Sequence, residues 1–469
     1  MDASSCFFRD DELVEHCGVI GVYSKKGAKV APVLYKAMVA LQHRGQDAAG
    51  FVVWDNGFVE RKGVGLVSDI FKETDLSVGG TLGIAHTRYP TTGLCLISDV
   101  QPFRNIDIAI SHNGQVSNYR DARSALEKRG FRFVSTVDSE VVVYTLHEQL
   151  KAGKSIADSV KTLMGSLDGA YSITGLIGNT LVAFKDPNGI RPLVWGENDD
   201  FIMFASETVA LDAVGIPHRG DLNGGELAVI RNGKLETSRL AEAHPHTCMF
   251  EYVYFSRPDS TINGRNVLEV RKRLGAQLAS EHPANADVVI DVPDSARTAA
   301  KAYADALGLP HDEGLIKNRY VGRTFIMPSQ QKRVDAVRMK LNAVRQIVGG
   351  KKIVLVDDSI VRGTTIREIV GLLRNAGARE VHVRITCPPI RAPCFYGIDM
   401  STYEELAAHT KSVEEIGKMI GADSLGYLSL EGLKNAIGLP VCTGCLDEGY
   451  PTRYAKKLAD EQKGKEKKK

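Results

Sequence analysis

Residues 353–365, IVLVDDSIVRGTT, combine residue types that suit the binding of a phosphorylated sugar. The apolar run predicts a buried strand that ends in the adjacent acids Asp357 and Asp358, and a helical pattern follows. In open parallel sheets, ligands bind beyond the carboxyl ends of the strands, where both acids would lie. Their oxygens suit ribose hydroxyls or a magnesium ion. The plainer alternative is a polar turn in which one Asp caps the helix.

The residues around the two acids are suited to a phosphate group. Gly363, Thr364 and Thr365 are small enough for backbone N–H groups to approach a phosphate, and the helix N-terminus adds partial positive charge. A second loop, VPDSA at residues 292–296, follows the preceding predicted strand and would lie at the same sheet edge. Its Ser295 could offer a hydroxyl to metal or pyrophosphate, or could simply cap a helix.

Polar islands in the first half of the chain contain the parts needed to cleave an amide. They are QHRGQDAAG, HTRYPTTG, SHNGQVSNY and DSE, each at the end of an apolar run. An arginine such as Arg44 or Arg88 can hold a carboxylate, Asn113 with Gly114 can stabilise an oxyanion, and Asp138 can hold an ammonium group. With a thiol, this set could cleave the side-chain amide of glutamine. Taken singly, an Asn-Gly pair is more often a turn and an arginine a surface charge.

Two hydrophobic patterns divide the chain. Short alternating runs extend from residue 17 to about residue 230 and predict antiparallel sheet. Helices are predicted there in VAPVLYKAMVALQHRG, NYRDARSALEKRG and SEVVVYTLHEQLKAG. Past roughly residue 264, strands alternate with helices, which predicts a parallel sheet. The boundary is expected near residues 235–265.

Composition limits the location and the partners. The 469 residues carry a formal net charge of +2 and no apolar run of membrane-spanning length, so neither nucleic-acid nor membrane binding is expected. The leader MDASSCFFRDDELVEH lacks the features of a secretory signal, which predicts a cytoplasmic protein. Its eight cysteines are then expected to be metal ligands, catalytic groups or core residues rather than disulfides. The final EQKGKEKKK predicts a solvated tail.

Both chemical patterns resemble known families. Residues 353–365 resemble the phosphoribosyl pyrophosphate (PRPP) loop of type I phosphoribosyltransferases, while CGVIG, QHRGQDAAG, HTRYPTTG and HNG resemble the N-terminal-nucleophile glutamine amidotransferases. The resemblance implies an α+β domain with the αββα sandwich of N-terminal-nucleophile hydrolases, followed by an α/β domain with a parallel sheet. We expect a propeptide at 1–16, a glutamine domain at 17–245, a phosphoribosyltransferase domain at 246–455 and a charged tail at 456–469.

The position of Cys17 behind a leader follows from the same resemblance. In that family the catalytic cysteine is the first residue of the mature chain. A free α-amine has a pKa of about 7.7–8.0, so at neutral pH a useful fraction can accept a proton, whereas the amide of an internal cysteine cannot. Residues 1–16 therefore resemble a propeptide whose removal creates the catalytic amine. The alternative is a permanent extension in front of a structural Cys17.

The two halves, in this order, resemble the amidophosphoribosyltransferase family over nearly all of residues 17–455, including FEYVYFSRPDS, KNRYVGRTFIMPSQ and CFYGIDMST. The resemblance implies that glutamine yields ammonia through a Cys17 thioester and that the ammonia passes internally to the second site. There it displaces pyrophosphate from PRPP, which gives 5-phosphoribosylamine and glutamate. This pentosyl transfer is the first committed step of purine biosynthesis. The family also implies a homotetramer and feedback inhibition by purine nucleotides.

The resemblance assigns a role to each candidate residue. The catalytic group is Cys17 with Asn113 and Gly114 as the oxyanion hole, and the glutamine contacts are Arg44, Arg88 and Asp138. Magnesium ligands are Asp357, Asp358 and Ser295. Residues 317–333 close over PRPP, with Gly322 as a hinge and with Arg319 and Arg323 as anion contacts. Ala296 departs from the glycine that the family more usually has. The 5-phosphate is held by Ser359, Ile360, Val361, Arg362, Gly363, Thr364 and Thr365.

The cysteines suggest a metal centre. VCTGC contains a C-x2-C pair, which commonly marks a metal site but supplies only two ligands. One subgroup of the family holds a [4Fe–4S] cluster through cysteines in PHTCMF, PCFYGID and C-x2-C contexts, which here are Cys248, Cys394, Cys442 and Cys445. The resemblance thus implies a structural cluster, with zinc or unrelated core cysteines as alternatives. Cys6, Cys95 and Cys387 receive no role.

Two other functions compete with this interpretation. Glucosamine-6-phosphate synthase, asparagine synthetase and glutamate synthase share the glutamine domain, but none needs IVLVDDSIVRGTT. A PRPP-binding regulator would use the phosphoribosyltransferase fold without catalysis, and would not need Cys17, Asn113 and Gly114. PRPP-dependent glutaminase activity separates the regulator from the enzyme.

Overall fold

The first half of the chain folds into two antiparallel sheets that pack face to face. The computed structural model describes residues 17–89, 96–318 and 339–466. One sheet has seven strands in the order β11-β9-β10-β1-β4-β2-β3 and the other six in the order β13-β12-β8-β7-β6-β5. The strands are β1 Gly18–Ser24, β2 Ala48–Trp54, β3 Phe58–Val64, β4 Leu82–Arg88, β5 Phe103–Arg104, β6 Ile108–Val116, β7 Gly169–Ile177, β8 Thr180–Lys185, β9 Val194–Glu197, β10 Phe201–Ala205, β11 His218–Asp221, β12 Glu226–Arg231 and β13 Lys234–Arg239.

Helices cover the outer face of each sheet. Helix Ala31–Ala40 packs its buried Leu34 and Met38 on the seven-stranded sheet. The six-stranded sheet is covered by helices Glu140–Lys151 and Ile156–Ser166, and helix Tyr119–Lys128 packs beside them. A separate apolar layer lies between the two sheets. The sequence prediction of an αββα sandwich is therefore confirmed. Shorter helical segments in this half are Gln42–Arg44, Val67–Ile70, Glu73–Leu76, Ile97–Asp99 and Thr208–Asp212.

The second half is built on a four-stranded parallel sheet. Its strands run in the order β17-β20-β21-β22, and every neighbouring pair is parallel. The helices predicted after β17 and β20 are present as Arg297–Leu307 and Thr364–Asn375. The strands are β17 Val288–Asp291, β20 Lys352–Asp357, β21 Glu380–Ile385 and β22 Ser424–Tyr427, and the other helices are Val267–Glu281, Arg345–Val348, Ala407–Thr410, Val413–Ile420, Leu430–Ile437 and Gly444–Asp447.

Short strand pairs complete this half. They are β14 Thr247–Cys248 with β23 Val441–Cys442, β15 Thr261–Ile262 with β16 Arg265–Asn266, and β18 Leu315–Lys317 with β19 Leu341–Ala343. The pair β14 and β23 is parallel and brings the segment that follows the sandwich next to the C-terminal region.

The C-terminal region differs from the expected tail. Arg453–Glu466 forms a helix whose Ala455 and Ala459 are buried. The hydroxyl of Tyr454 donates a hydrogen bond of 2.7 Å to Asp121 of the sandwich. Of these residues only Ala459 lies within the charged tail expected at 456–469, and the solvent exposure expected of the final EQKGKEKKK stays a prediction. In the described part of the chain, no helix is long and apolar enough to cross a membrane.

Candidate active sites

Cys17 and Arg88 lie side by side at one edge of the seven-stranded sheet. Cys17 immediately precedes β1, and Arg88 is the last residue of β4. The two strands are antiparallel with Gly18 opposite Thr87, which places Cys17 next to Arg88. Cys17 is partly exposed, whereas Arg88 is buried. The predicted nucleophile is thus accessible beside a cation that can hold a carboxylate.

Asn113 and Gly114 lie near the end of β6 in the other sheet. Gly114 has φ +135, and a Cβ there would be 2.1 Å from the Ala170 carbonyl oxygen, so the position requires glycine. Asn113 is only 2% exposed, and its Nδ2 has no hydrogen-bond partner among the described residues. A buried donor without a partner costs free energy unless a ligand uses it. The pair is therefore suited to receive a developing oxyanion.

The carboxylate of Asp138 is fixed by a backbone N–H group of β6. Its Oδ2 accepts a hydrogen bond of 2.6 Å from the Val116 N–H, and the Ser139 hydroxyl donates to Oδ1 at 3.4 Å. Asp138 is buried. A fixed carboxylate near the end of β6 is suited to hold an ammonium group, and this role of Asp138 stays a prediction.

A buried polar framework joins the two sheets at this site. His86 Nε2 lies 3.2 Å from the His112 carbonyl oxygen, so it ties β4 to β6 close to Arg88 and Asn113. Gln101 brackets His112, since its Oε1 accepts from the His112 N–H at 2.7 Å and its Nε2 donates to the carbonyl at 3.2 Å. Sequence reasoning missed these residues, although both histidines lie in the quoted polar islands.

Both histidines of the framework are neutral at physiological pH. Burial and the neighbouring Arg88 lower the pKa of His86 to about 3. Burial also lowers the pKa of His112, whose Nδ1 lies 2.8 Å from the Ser139 hydroxyl oxygen. Neutral rings in hydrogen bonds act as fixed supports rather than as proton carriers.

Arg44 lies inside the protein and is surrounded by polar partners. Its side chain is fully buried and bonds to Glu207 at 2.5 Å, to Glu251 at 2.9 and 3.0 Å, and to the Cys17 carbonyl oxygen at 3.2 Å. Burial opposes its charge, but Glu251 and Glu207 raise the pKa of Arg44 above its ordinary value. The guanidinium is thus engaged by protein groups in this structure, and the glutamine contact expected of Arg44 stays a prediction.

The acids of the second site meet the second loop at the sheet edge. Asp357 ends β20 and accepts a hydrogen bond of 2.8 Å from the Asp358 N–H. The Ser295 hydroxyl donates to Asp358 Oδ2 at 2.5 Å, and the Ser359 hydroxyl donates to Oδ1 at 2.6 Å. The sequence expectation that Ser295 and Asp358 share one edge agrees with this geometry. Ala296 has an ordinary helical φ of −81.

The loop after these acids leads into a helix N-terminus. Gly363 has φ +83, in the left-handed region that favours glycine, and precedes helix Thr364–Asn375. Ile360 and Val361 are buried, so only their backbone could contact a phosphate. Arg362 forms an ion pair with Glu405. Thr364 is exposed and Thr365 partly exposed at the start of the helix, where backbone N–H groups can receive an anion.

Four cysteines from distant segments line one cavity. Cys248 and Cys442 are opposite each other in β14 and β23, and Cys394 and Cys445 complete the lining. The cavity is small, with a volume of about 20 Å³. None of the four cysteines forms a disulfide, and burial raises the pKa of Cys248 to about 12. Among the described residues, no group of three His, Cys, Asp or Glu side chains has a spacing suited to a metal ion.

Other sequence expectations fall outside the described residues. They concern the leader 1–16, residues 90–93 of the HTRYPTTG island, Cys6 and Cys95, and residues 319–333 of the predicted lid with Arg319, Gly322 and Arg323. Cys387 is described and lies buried beside the parallel sheet's core residues.

The chain is similar to known proteins over most of its length. A glutamine amidotransferase domain family matches residues 89–213 and a phosphoribosyl transferase domain family matches residues 262–420. The amidophosphoribosyltransferase of Methanothermobacter thermautotrophicus is 48% identical over 94% of this chain and 96% of its own length. That of Bacillus subtilis is 45% identical over 94% of this chain and 95% of its own length.

A solved structure gives the same result. The glutamine PRPP amidotransferase of B. subtilis, complexed with ADP and GMP, has a TM-score of 0.87 and 44% identity, covering 93% of this chain and 98% of the other. The chain belongs to the amidophosphoribosyltransferase family.

Proposed function

We propose that this protein transfers ammonia from glutamine to PRPP at two sites on one chain, as the first step of purine biosynthesis. The observation that carries the proposal is the coexistence of both sites in one chain. A partly exposed Cys17 lies immediately before β1, in the same half as the Asn113 amide, whose Nδ2 has no hydrogen-bond partner in the described part of the chain. Asp357 and Asp358 lie at the end of β20 in the second half. A regulator that only binds PRPP has no use for the first set.

The glutamine half would work by nucleophilic attack. Arg88 holds the carboxylate of glutamine and Asp138 its ammonium group. The Cys17 thiolate attacks the side-chain carbonyl carbon, and the Asn113 amide with the Gly114 N–H receives the oxyanion. Collapse of this intermediate releases ammonia and leaves a thioester at Cys17. Water then hydrolyses the thioester to glutamate and restores the thiol.

Removal of residues 1–16 would supply the proton carrier for these steps. The α-amine of a terminal Cys17 takes the thiol proton and delivers it to the leaving ammonia. In the unprocessed chain the same nitrogen is an amide and cannot act as a base. The mature protein is therefore proposed to begin at Cys17.

The second half would bind PRPP at the acidic edge of its sheet. The oxygens of Asp357, Asp358 and Ser295 form a hard donor set that fits Mg²⁺. Bound Mg²⁺ would supply positive charge to the pyrophosphate leaving group. The backbone of residues 359–365 and the N-terminus of helix Thr364–Asn375 hold the 5-phosphate. Ammonia then attacks C1 of the ribose, and pyrophosphate leaves.

We further propose a [4Fe–4S] cluster at the thiol cavity. Its four cysteines form no disulfide, they are the donor type and number that such a cluster needs, and they line one largely enclosed space. Bound there, the cluster would cross-link β14, the loop that contains Cys394 and the C-terminal region. Zinc is the alternative for four thiolates, and metal analysis of the protein distinguishes the two.

The oligomeric state, the regulation and the domain limits of this protein are proposed by analogy with the family. We propose a cytoplasmic homotetramer that purine nucleotides inhibit, in keeping with the ADP and GMP in the related B. subtilis structure. The proposed divisions are the propeptide 1–16, the glutamine domain 17–245 and the phosphoribosyltransferase domain 246–455.

Separate assays of the two reactions test this function. The mature protein is expected to form phosphoribosylamine from PRPP with either glutamine or ammonium as the nitrogen source. Cys17→Ala should abolish the glutamine-dependent reaction and retain the ammonium-dependent one. Asp358→Asn should impair both. PRPP binding without any product formation would instead identify a regulator.

A further inference from the structure

Glu251 is a buried carboxylate that bonds to two arginines at once. It lies between the two family matches, which end at residue 213 and begin at residue 262. Its side chain is fully buried. Its oxygens accept hydrogen bonds of 2.9 and 3.0 Å from Arg44 and one of 3.3 Å from Arg191. Two buried cations around one carboxylate fix all three side chains in a single geometry.

The first arginine extends this geometry to the nucleophile. While Arg44 Nη1 and Nη2 bond to Glu251, its Nε donates to the Cys17 carbonyl oxygen at 3.2 Å. Nη1 also bonds to Glu207, which is held by His43 and by the Ser260 hydroxyl. The backbone of the predicted nucleophile is thus attached to the connecting segment.

The second arginine extends the same geometry to the oxyanion hole. Arg191 donates to the Tyr396 carbonyl oxygen at 3.2 Å and to the Gly397 carbonyl oxygen at 2.6 Å. Gly397 has φ +99 and lies directly against Gly114. A Cβ on Gly397 would be only 3.0 Å from the Gly114 carbonyl carbon. The Ser117 hydroxyl donates to the Phe395 carbonyl oxygen at 2.8 Å, which anchors the same segment to the residue after β6.

Glu251 is itself anchored on the phosphoribosyltransferase half. The Ser256 hydroxyl donates to it at 2.7 Å. Arg271, on helix Val267–Glu281, donates to the carbonyl oxygens of Tyr252 at 2.9 Å and of Tyr254 at 2.8 Å. The turn that carries Glu251 is therefore fixed from the second half, while its two arginines belong to the first.

We propose that Glu251 is a positioning residue for the glutamine reaction, which holds the Cys17 backbone and the Gly114 oxyanion donor at a fixed separation through Arg44 and Arg191. This role rests on the proposed function, in which Cys17 attacks and Gly114 receives the oxyanion. Glu251 contacts neither substrate, so it acts on the rate of the step rather than on glutamine binding. Its position also makes glutamine chemistry depend on the second half of the chain.

The substitution Glu251→Gln distinguishes an effect on the rate of glutamine hydrolysis from an effect on glutamine binding. The amide keeps the shape of the side chain but places an NH2 donor against one of the two arginines, so one side of the junction must shift. A displacement of about 1 Å in a reacting group costs roughly 10²-fold in rate. We expect a fall of that size in kcat for glutamine hydrolysis. The KM for glutamine should stay within about threefold, because Arg88 and Asp138 are unchanged.

The experiment uses mature full-length protein and assays both nitrogen sources. Ammonium-dependent product formation should remain near wild type in Glu251→Gln, as should iron content. Glu281→Gln is the matched control, because this carboxylate accepts from Ser429 at the end of helix Val267–Glu281, away from the glutamine site. Its two activities should both be unchanged.

Three outcomes would overturn the proposal. One is a glutamine kcat within about threefold of wild type, another is an equal fall in both reactions, and the third is a rise in KM alone. If Glu251→Gln proves unfolded, Arg191→Lys decides, since it keeps the charge but cannot bond to both Tyr396 and Glu251. It should lower glutamine kcat at least about tenfold with ammonium use retained. A wild-type chain without glutamine-dependent activity would instead refute the proposed function.

Discussion

At the scale of single residues, the glutamine site depends on two neighbours with different constraints. Gly114 is fixed by its backbone, since φ +135 and the nearby Ala170 carbonyl leave no room for a Cβ. Asn113 is distinguished by its buried Nδ2, which has no hydrogen-bond partner among the described residues. The pair alone is more often a turn, so the sequence pointed to both residues only through the family resemblance.

Asn113→Ala is expected to lower kcat for glutamine hydrolysis about 10²–10³-fold, the cost of removing one oxyanion donor. The ammonium-dependent reaction should be unchanged, because that site lies on the parallel sheet. Steady-state assays with each nitrogen source check this. Asn435→Ala, at an exposed position of helix Leu430–Ile437, serves as the control. A loss shared by both reactions would argue against an oxyanion role.

His86 predicts a pH dependence of stability. Its folded pKa is depressed to about 3 by burial and by Arg88, although the hydrogen bond to the His112 backbone opposes this shift. Below about pH 6.5 the unfolded chain binds a proton that the folded chain excludes, so the free energy of unfolding falls as pH decreases. One such group contributes up to about 1.4 kcal/mol per pH unit.

His86→Gln should therefore flatten the acid side of the stability profile. Urea unfolding at several pH values between 4.5 and 7.5 measures the slopes for the wild type and the variant. Equal slopes would show that His86 is not held neutral in the folded protein.

The burial of Arg44 shows what sequence cannot provide at this scale. Its island suggested a cation that holds a carboxylate. Its partner Glu251, which holds the guanidinium inside the protein, is 207 positions away in the chain. No local pattern encodes such a pairing, and a buried arginine looks the same in a sequence as an exposed one.

At the scale of elements, the parallel sheet was the easiest part to predict. β20 and helix Thr364–Asn375 follow the apolar and helical patterns closely, and the acids lie at the strand end as expected. The strand order of the two antiparallel sheets was not predictable, because β1 pairs with β4 and β10 rather than with its neighbour in sequence. Helix Arg453–Glu466 was missed for its charge.

Gly363→Ala tests the turn between β20 and its helix. An L-residue at φ +83 costs about 1–2 kcal/mol, so the loop should leave the geometry that receives the 5-phosphate. The KM for PRPP should rise about tenfold in the ammonium-dependent assay. Gly371→Ala is a matched control within the same helix, where a Cβ meets no atom within 4 Å. Equal effects of the two changes would contradict a special role for the turn.

At the scale of the whole molecule, the two halves meet at the thiol cavity and at Glu251. Cys248, Cys394, Cys442 and Cys445 come from segments almost 200 residues apart, yet they line one space. Only similarity to a family could group them beforehand, since the C-x2-C pair gives half of the set. The thiol cavity connects the middle of the chain to the C-terminal region, and Glu251 connects it to Cys17 through Arg44.

Anaerobically purified protein is expected to contain about four iron and four sulfide per chain. Cys442→Ser should lower both and reduce the melting temperature, because one tie between β14 and β23 is lost. Elemental analysis and thermal melting measure these effects. Stoichiometric zinc without iron would replace the cluster by a single-metal site.

The central claim is that one chain moves nitrogen from glutamine to PRPP. The most direct measurement supplies mature protein with amide-nitrogen-15-labelled glutamine, PRPP, Mg²⁺ and unlabelled ammonium, and determines the isotope in trapped phosphoribosylamine by mass spectrometry. We predict labelled product from the wild type and only unlabelled product from Cys17→Ala. Unlabelled product from the wild type, with glutamine left intact, would contradict the account.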